Sequence, residues 1–321
     1  MGDMGNMGLG PLTWSSALST WQMTWSALAV LLAANAYGVG VATLRRRGVS
    51  WPRRRIAAAS VCVVSFLLAF CSVVGIYDMT LFSMHMVQHL LLVMVGAFFL
   101  AASAPVDLFI AATSGRLHHM AERAVSSRLG HLLGHPAFGF VLYAAAIPAF
   151  HLTNLFNLAM QSGFAHSVEA AAFIVIGYLF WRPVVGVEAR QHPLAPGVRM
   201  VYLLLAVPVD TITGLALVMQ QHTDQLSSFA TGSRNWGPTV LGDIHQGGAI
   251  MWIIGDLIMM TALIPLGIAF VRADAEEAKV IDDAIASGTL PKQATSSWKP
   301  VPREHFPTAA PPSGEPPLPP T

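Results

Sequence analysis

Charge is what this sequence has least of. Only 11% of its 321 residues are Asp, Glu, Lys or Arg, against about 25% in an average soluble domain. That shortage excludes a water-facing globular surface. Lysine is scarcer still: Lys279, Lys292 and Lys299 are the whole set, and all lie near the C-terminus. No apolar stretch therefore carries a lysine for a Schiff base, which excludes a retinal-type seven-helix protein. The two cysteines, Cys62 and Cys71, stand nine positions apart in one apolar run. Nine steps of about 100° put them on opposite helix faces, so they read as small buried apolar residues, not as a disulfide or a metal pair. The start, MGDMGNMGLGPLTW, lacks a basic region followed by an apolar core, and no cleavable signal peptide is expected.

Apolar residues are abundant, at 54%, and come in blocks near twenty long. A bilayer core of ~30 Å takes ~20 helical residues to cross. The blocks predict an all-α polytopic membrane protein with seven transmembrane helices, at about 25–44, 56–76, 81–102, 136–152, 166–181, 199–219 and 245–271. Residues 107–134 are mixed, with Arg116, Arg123 and Arg128, and predict a short amphipathic helix. The arginine-rich loops 45–55, 116–128 and 182–199, with the tail after Arg272, fall on one side of such a bundle. The positive-inside rule makes that side cytoplasmic, so the N-terminus is expected outside and the C-terminus inside. Only Arg234 of the eighteen basic residues is then external. Three regions follow: a Met/Gly-rich external segment, 1–24; a membrane domain, 25–271; and a cytoplasmic tail, 272–321. The tail opens with the helix-compatible ADAEEAKVIDDAIA and ends in PPSGEPPLPPT, which is expected to be disordered.

This orientation sorts the histidines. His85 and His89, four apart in the third span, share one helix face in its outer half. His151 ends the fourth span on the outer side, and His166 opens the fifth with Glu169 three residues on. Met219 and His222 close the sixth, and Asp243 and His245 open the seventh. Six histidines from five spans thus share one depth. Ionisable groups within spans mark ion paths, metals or proton relays, while histidines hydrogen-bonded between helices or sitting in a wet interface are the plainer reading. The layer, with its carboxylates and methionines, favours a metal role for His85, His89, His151, His166, His222, His245, Asp243 and Met219. His118, His119, His131, His135 and His192 lie in cytoplasmic loops beside arginines, and His305 is in the tail; all read as solvated. Asp210 and Asp256 lie deep in the sixth and seventh spans. Two readings stand for them: proton carriers or partners of metal ligands, and acids hydrogen-bonded between helices beside Gly214, Gly247, Gly248 and Gly255.

Imidazole suits zinc, copper, iron and nickel, and thioether sulfur selects copper(I). Met1, Met4 and Met7, spaced by three, together with Met79, Met84, Met86, Met160 and Met219, make the outer side methionine-rich, which points to copper as Cu+.

The third-span run HMVQHLLL, followed by an apolar stretch and Ala104–Pro105, resembles the multi-span CtaG family of cytochrome c oxidase assembly factors. The seventh-span start DIHQGGAIMWIIGD resembles that family's D-Q-x-x-G-G-x-I-M-W signature, carried here by Asp243, Gln246, Gly248 and Trp252. The resemblance covers roughly residues 25–271. It implies seven spans in a bacterial cell membrane, a place for His85 and His89 in a metal-handling site, and a role in maturing a haem–copper oxidase. The expected function is a non-enzymatic copper-handling factor that binds copper at an outer-face His/Met site and passes it to the oxidase. Its expected partners are cytochrome c oxidase subunits, the copper ion and the lipid bilayer, with no nucleic acid. A second class fits the same histidines: a membrane haem b electron carrier or quinone oxidoreductase, with axial imidazoles from facing spans. The chain departs from the family pattern in the stretch VMVGAFFLAASAP, where an earlier Ala-Pro pair is usual, and in its longer tail.

Overall fold

The computed structural model describes residues 9–13, 19–188, 194–223, 226–230 and 234–287, and every regular element among them is a helix. The segment holding Met1, Met4 and Met7 and the Pro-rich end lie outside the described residues. The chain divides into two compact units, Met1–Phe270 and Val271–Thr321. Apolar helices build the first: α1 (Trp25–Arg46), α2 (Arg53–Cys71), α3 (Phe82–His89), α4 (Pro136–His151), α5 (Gly163–Val185), α6 (Pro196–Val218) and α7 (Val240–Ala286, of which the residues to Phe270 belong to this unit). In the second unit, the described residues Val271–Asp283 are exposed helix rich in Ala, Glu and Asp, all compatible with helix and with water.

Among the described residues, six helical runs are long and apolar enough to cross a membrane, and the count becomes seven if α4 is joined to the Arg128–Gly134 helix, from which it is bent by 66°. The bend has a local cause. Pro136 forces His135 out of the α region, to φ −76° and ψ 127°, so one helix stops and the next begins with proline at its first position. The single amphipathic helix expected before it is instead three short ones, Pro105–Ala112, Gly115–Val125 and Arg128–Gly134. They are separated by Thr113–Ser114 and Ser126–Ser127, residue types that favour caps and turns.

Helix ends follow their sequences. The Thr24 hydroxyl accepts from the Ala27 amide at 3.0 Å and the Ser162 hydroxyl from the Ala165 amide at 3.1 Å, capping α1 and α5. Arg45 and Arg46 sit in the last turn of α1, where cations suit the helix dipole. The outward faces of α6 and α7 carry Val201, Leu205, Ile212, Ile253, Leu257 and Ile264, all exposed. An apolar outer surface over an apolar interior suits a lipid solvent.

The third span is the packing centre. After α3 it becomes a π-helix over Leu90–Gly96, then α-helical again over Ala97–Ser103. It packs against α2 on one side and α5 on the other. The π register shifts carbonyls away from their usual acceptor role, and neighbours take two of them. Ser65 Oγ donates to the Leu91 carbonyl at 2.8 Å, and Trp181 Nε1 to the Val93 carbonyl at 2.9 Å. Close approach also requires Gly177 on α5: a Cβ there would lie 2.9 Å from the Val93 carbonyl and 2.8 Å from Ala97 Cβ. Gly214 and Gly248 bring α6 and α7 together in the same way, a Cβ on either falling 2.8 Å from the other's carbonyl oxygen.

Candidate functional site

The clamp between the third span and α5 fixes the polar residues one to two turns away. His85, Gln88 and His89 fall at i, i+3 and i+4 on α3 and are all buried; His166 and Glu169 fall at i and i+3 on α5 and are buried as well. The two helices present these faces to each other. Glu169, 4% exposed, is the hub. Its Oε1 lies 3.2 Å from His85 Nε2 and 3.1 Å from His89 Nε2, and its Oε2 lies 3.1 Å from His166 Nδ1. The other nitrogen of His166, Nε2, lies 3.1 Å from Asp78 Oδ2. Gln88 Nε2 donates to the same Asp78 oxygen at 2.5 Å and to the Ala69 carbonyl at 3.0 Å, which ties the cluster to the end of α2.

Two buried carboxylates and three imidazoles make a cluster that is negative whenever the imidazoles are neutral. No Lys or Arg pairs with Glu169 or Asp78 among the described ion pairs. Buried charge without a partner is costly, so this cluster calls for protons or a metal cation. The donor geometry suits a cation: one ligand atom each from His85, His89 and Glu169 lie within 4.8 Å of one another. Imidazole nitrogen and carboxylate oxygen are ligands for zinc, copper or iron. The Nδ1 atoms of His85 and His89 are buried without a partner. His151, at the end of α4, stands beside the group, its ring 5.3 Å from that of His89; its Nδ1 bonds to the Ile147 carbonyl at 2.8 Å while its Nε2 is unpartnered.

Aromatic rings close over the cluster. Phe156, on the short helix Leu155–Ala159, is 5.0 Å from His85 between ring centroids, and Phe229, on the short helix Ser227–Ala230, is 6.3 Å. Phe82 packs edge-on to both, and Phe173 lies 4.4 Å from His89. His85 is consequently 0% exposed.

Of the eight residues expected at a metal site, four converge: His85, His89, His151 and His166. The other four are placed elsewhere. Met219 is exposed at the end of α6, and His222 is exposed in the loop beyond it. His245 Nε2 bonds to the Gln220 carbonyl at 2.8 Å, a tie from α7 to the loop after α6. Asp243 is buried, but its oxygens are already occupied. Oδ2 accepts from the Phe82 amide at 2.7 Å and Oδ1 accepts from Ser83 Oγ at 2.6 Å, with Arg234 Nη2 at 3.4 Å from Oδ2. Asp243 therefore caps α3 from outside its own helix, satisfying the free N–H at its start, where Leu81 has no capping side chain. It holds the histidine helix, and its described partners include no histidine. The physical reason for the split is that a shared depth does not fix the direction a residue faces around the bundle.

The residues the sequence left out of the site are Glu169, Asp78 and Gln88. Glu169 shares a face with His166 and had its signal in that i, i+3 spacing. Gln88 shares the His85 face by the same spacing. Asp78 sits in a turn, where no periodicity applies. The deep acids are both engaged: Tyr143 donates to Asp210 Oδ1 at 2.6 Å, and Thr211 Oγ1 to Asp256 Oδ2 at 2.7 Å.

Residues 35–273 match the profile of the family described as cytochrome c oxidase caa3 assembly factor. An uncharacterized protein of Mycobacterium bovis is 29% identical over 273 residues, 82% of this chain and 41% of that protein; one of Mycobacterium tuberculosis gives the same figures. An uncharacterized protein of Mycobacterium leprae is 26% identical over 275 residues, 84% of this chain and 42% of its own length. The chain thus spans about two fifths of the length of these curated relatives. No solved structure matches it. The profile covers the spans that carry the whole histidine–carboxylate cluster, and the chain belongs to the cytochrome c oxidase caa3 assembly factor family.

Proposed function

We propose that this protein is a non-catalytic assembly factor that holds copper for a maturing cytochrome c oxidase, with His85, His89 and Glu169 as the ligands. The observation that carries this reading is the buried carboxylate of Glu169, which faces imidazoles and no Lys or Arg. His166 orients Glu169 from behind and is itself held by Asp78, the kind of outer partner that fixes a ligand's direction. With the arginine-rich loops cytoplasmic, the cluster lies in the outer half of the membrane, the side on which copper would be passed on. Cargo must leave again, and nitrogen and oxygen ligands allow exchange more readily than a closed thiolate cage. The haem or quinone alternative is less well supported by space. The cavity beside His89 and His151 is about 20 Å³, whereas small-molecule pockets start near ~300 Å³.

The test is copper per chain in detergent-purified protein after anaerobic copper(I) loading and desalting. Wild type is compared with His85→Ala/His89→Ala, and oxidase maturation is followed in cells carrying each. Bound copper that disappears in the double variant, together with lost maturation, is the expected result. Equal copper and equal oxidase activity in both would sink the proposal.

A further inference from the structure

One internal chamber adjoins the cluster and shares His89 with it. Its volume is about 20 Å³, and its walls include Met86, His89, Met94, His151, Asp210 and Met251, all buried. They come from the third span, α4, α6 and α7. Three of the buried side-chain polar atoms that lack a partner belong to these walls: His89 Nδ1, His151 Nε2 and Asp210 Oδ2. Buried polar atoms are ordinarily satisfied, so three orphans around one chamber call for an occupant. The volume exceeds the ~10–15 Å³ that a single water needs, so a water or one bare ion fits and nothing much larger does.

We propose that this chamber is a second, deeper cation site selective for a soft monovalent metal, copper(I). The proposal rests on the copper reading of the His85–His89–Glu169 cluster. Three thioether side chains in one small chamber are a donor set that favours copper(I) over zinc, iron or copper(II). Asp210, whose other oxygen is anchored by Tyr143, would on losing its proton supply the single negative charge that a monovalent ion neutralises. The nitrogen and oxygen atoms here do not converge as those around Glu169 do, since the described residues form one close group of His and acid ligands and it is not this one. The thioethers must therefore complete the coordination. His89 joins the two places, with Nε2 directed to Glu169 and Nδ1 left for the chamber. An ion leaving the outer ligands would then find its next donors on the same imidazole, and only an ion tolerant of sulfur would move on. The inner chamber would thus select copper already in the +1 state, a choice that the outer site, with its harder ligands, does not make.

The experiment is X-ray absorption at the copper edge on the full chain in detergent, loaded anaerobically with copper(I). Wild type is compared with Met86→Leu/Met94→Leu/Met251→Leu and with Met4→Leu/Met7→Leu as a control for the N-terminal methionines. Leucine matches methionine closely in volume, so packing is preserved. The expected result is a sulfur shell in wild type and in the control, with copper beyond one equivalent. The triple variant keeps about one equivalent with nitrogen and oxygen only. If the triple variant unfolds earlier than wild type, Met251→Leu alone must still lower the sulfur contribution. Copper bound in wild type without sulfur, or sulfur lost only in the N-terminal control, overturns the inner site and leaves the outer one standing. No bound copper at all overturns both.

Discussion

Two buried carboxylates hold the same helix and do different things. Asp243, 1% exposed, binds the start of α3 through the Phe82 amide and Ser83 hydroxyl, with Arg234 alongside. Glu169, 4% exposed, binds one and two turns further on through His85 and His89. The partners of Asp243 are an amide, a hydroxyl and a guanidinium, none of which trades its proton for a metal at neutral pH. The partners of Glu169 are imidazoles, which do. Burial and the number of hydrogen bonds do not tell these two carboxylates apart; the chemistry of their donors does.

That contrast breaks if the wrong variant loses copper. The largest effect is expected from Glu169→Gln, which keeps shape and removes charge. Its copper affinity should fall further than the ~10–100-fold typical of an outer partner, measured by competition with a copper(I) chelator. His166→Ala removes a group that orients Glu169, so its loss should lie within that ~10–100-fold range. Asp243→Ala should leave copper per chain unchanged and instead destabilise the protein by about 1–2 kcal/mol, as loss of a helix cap does; thermal unfolding in detergent reads it. Asp243→Asn should cost less than the alanine variant, because asparagine caps about as well as aspartate. Copper loss in either Asp243 variant without a matching loss of stability would erase the distinction. Trp181→Phe sharpens it from the far side. Freeing the Val93 carbonyl should cost about 1 kcal/mol and leave the copper content as it is.

The sequence carried depth well and direction poorly. Span positions follow from apolar blocks, and the placement of His85, His89, His151 and His166 near one level follows from the connections between those blocks. Which of the histidines meet does not. His245, expected at that level, bonds to the Gln220 carbonyl, and nothing in its flanking residues marks the difference. The π stretch was illegible for a related reason: nothing in LLLVMVG marks a π register, and only Ser65 and Trp181, far away in the chain, reveal that its carbonyls are needed elsewhere. The bend before α4 was legible in principle, since it rests on Pro136 alone.

The aromatic cover over His85 has a kinetic consequence. On the copper reading, an ion would reach these ligands only in the fraction of molecules whose rings have swung aside, and the observed affinity would be the intrinsic one scaled by that fraction. Loading should saturate at a rate set by opening, however much copper is supplied, a departure from simple encounter kinetics. Slow uptake and long residence are then one property. A recipient protein that pushed Phe156 or Phe229 aside would hasten delivery without touching a single ligand.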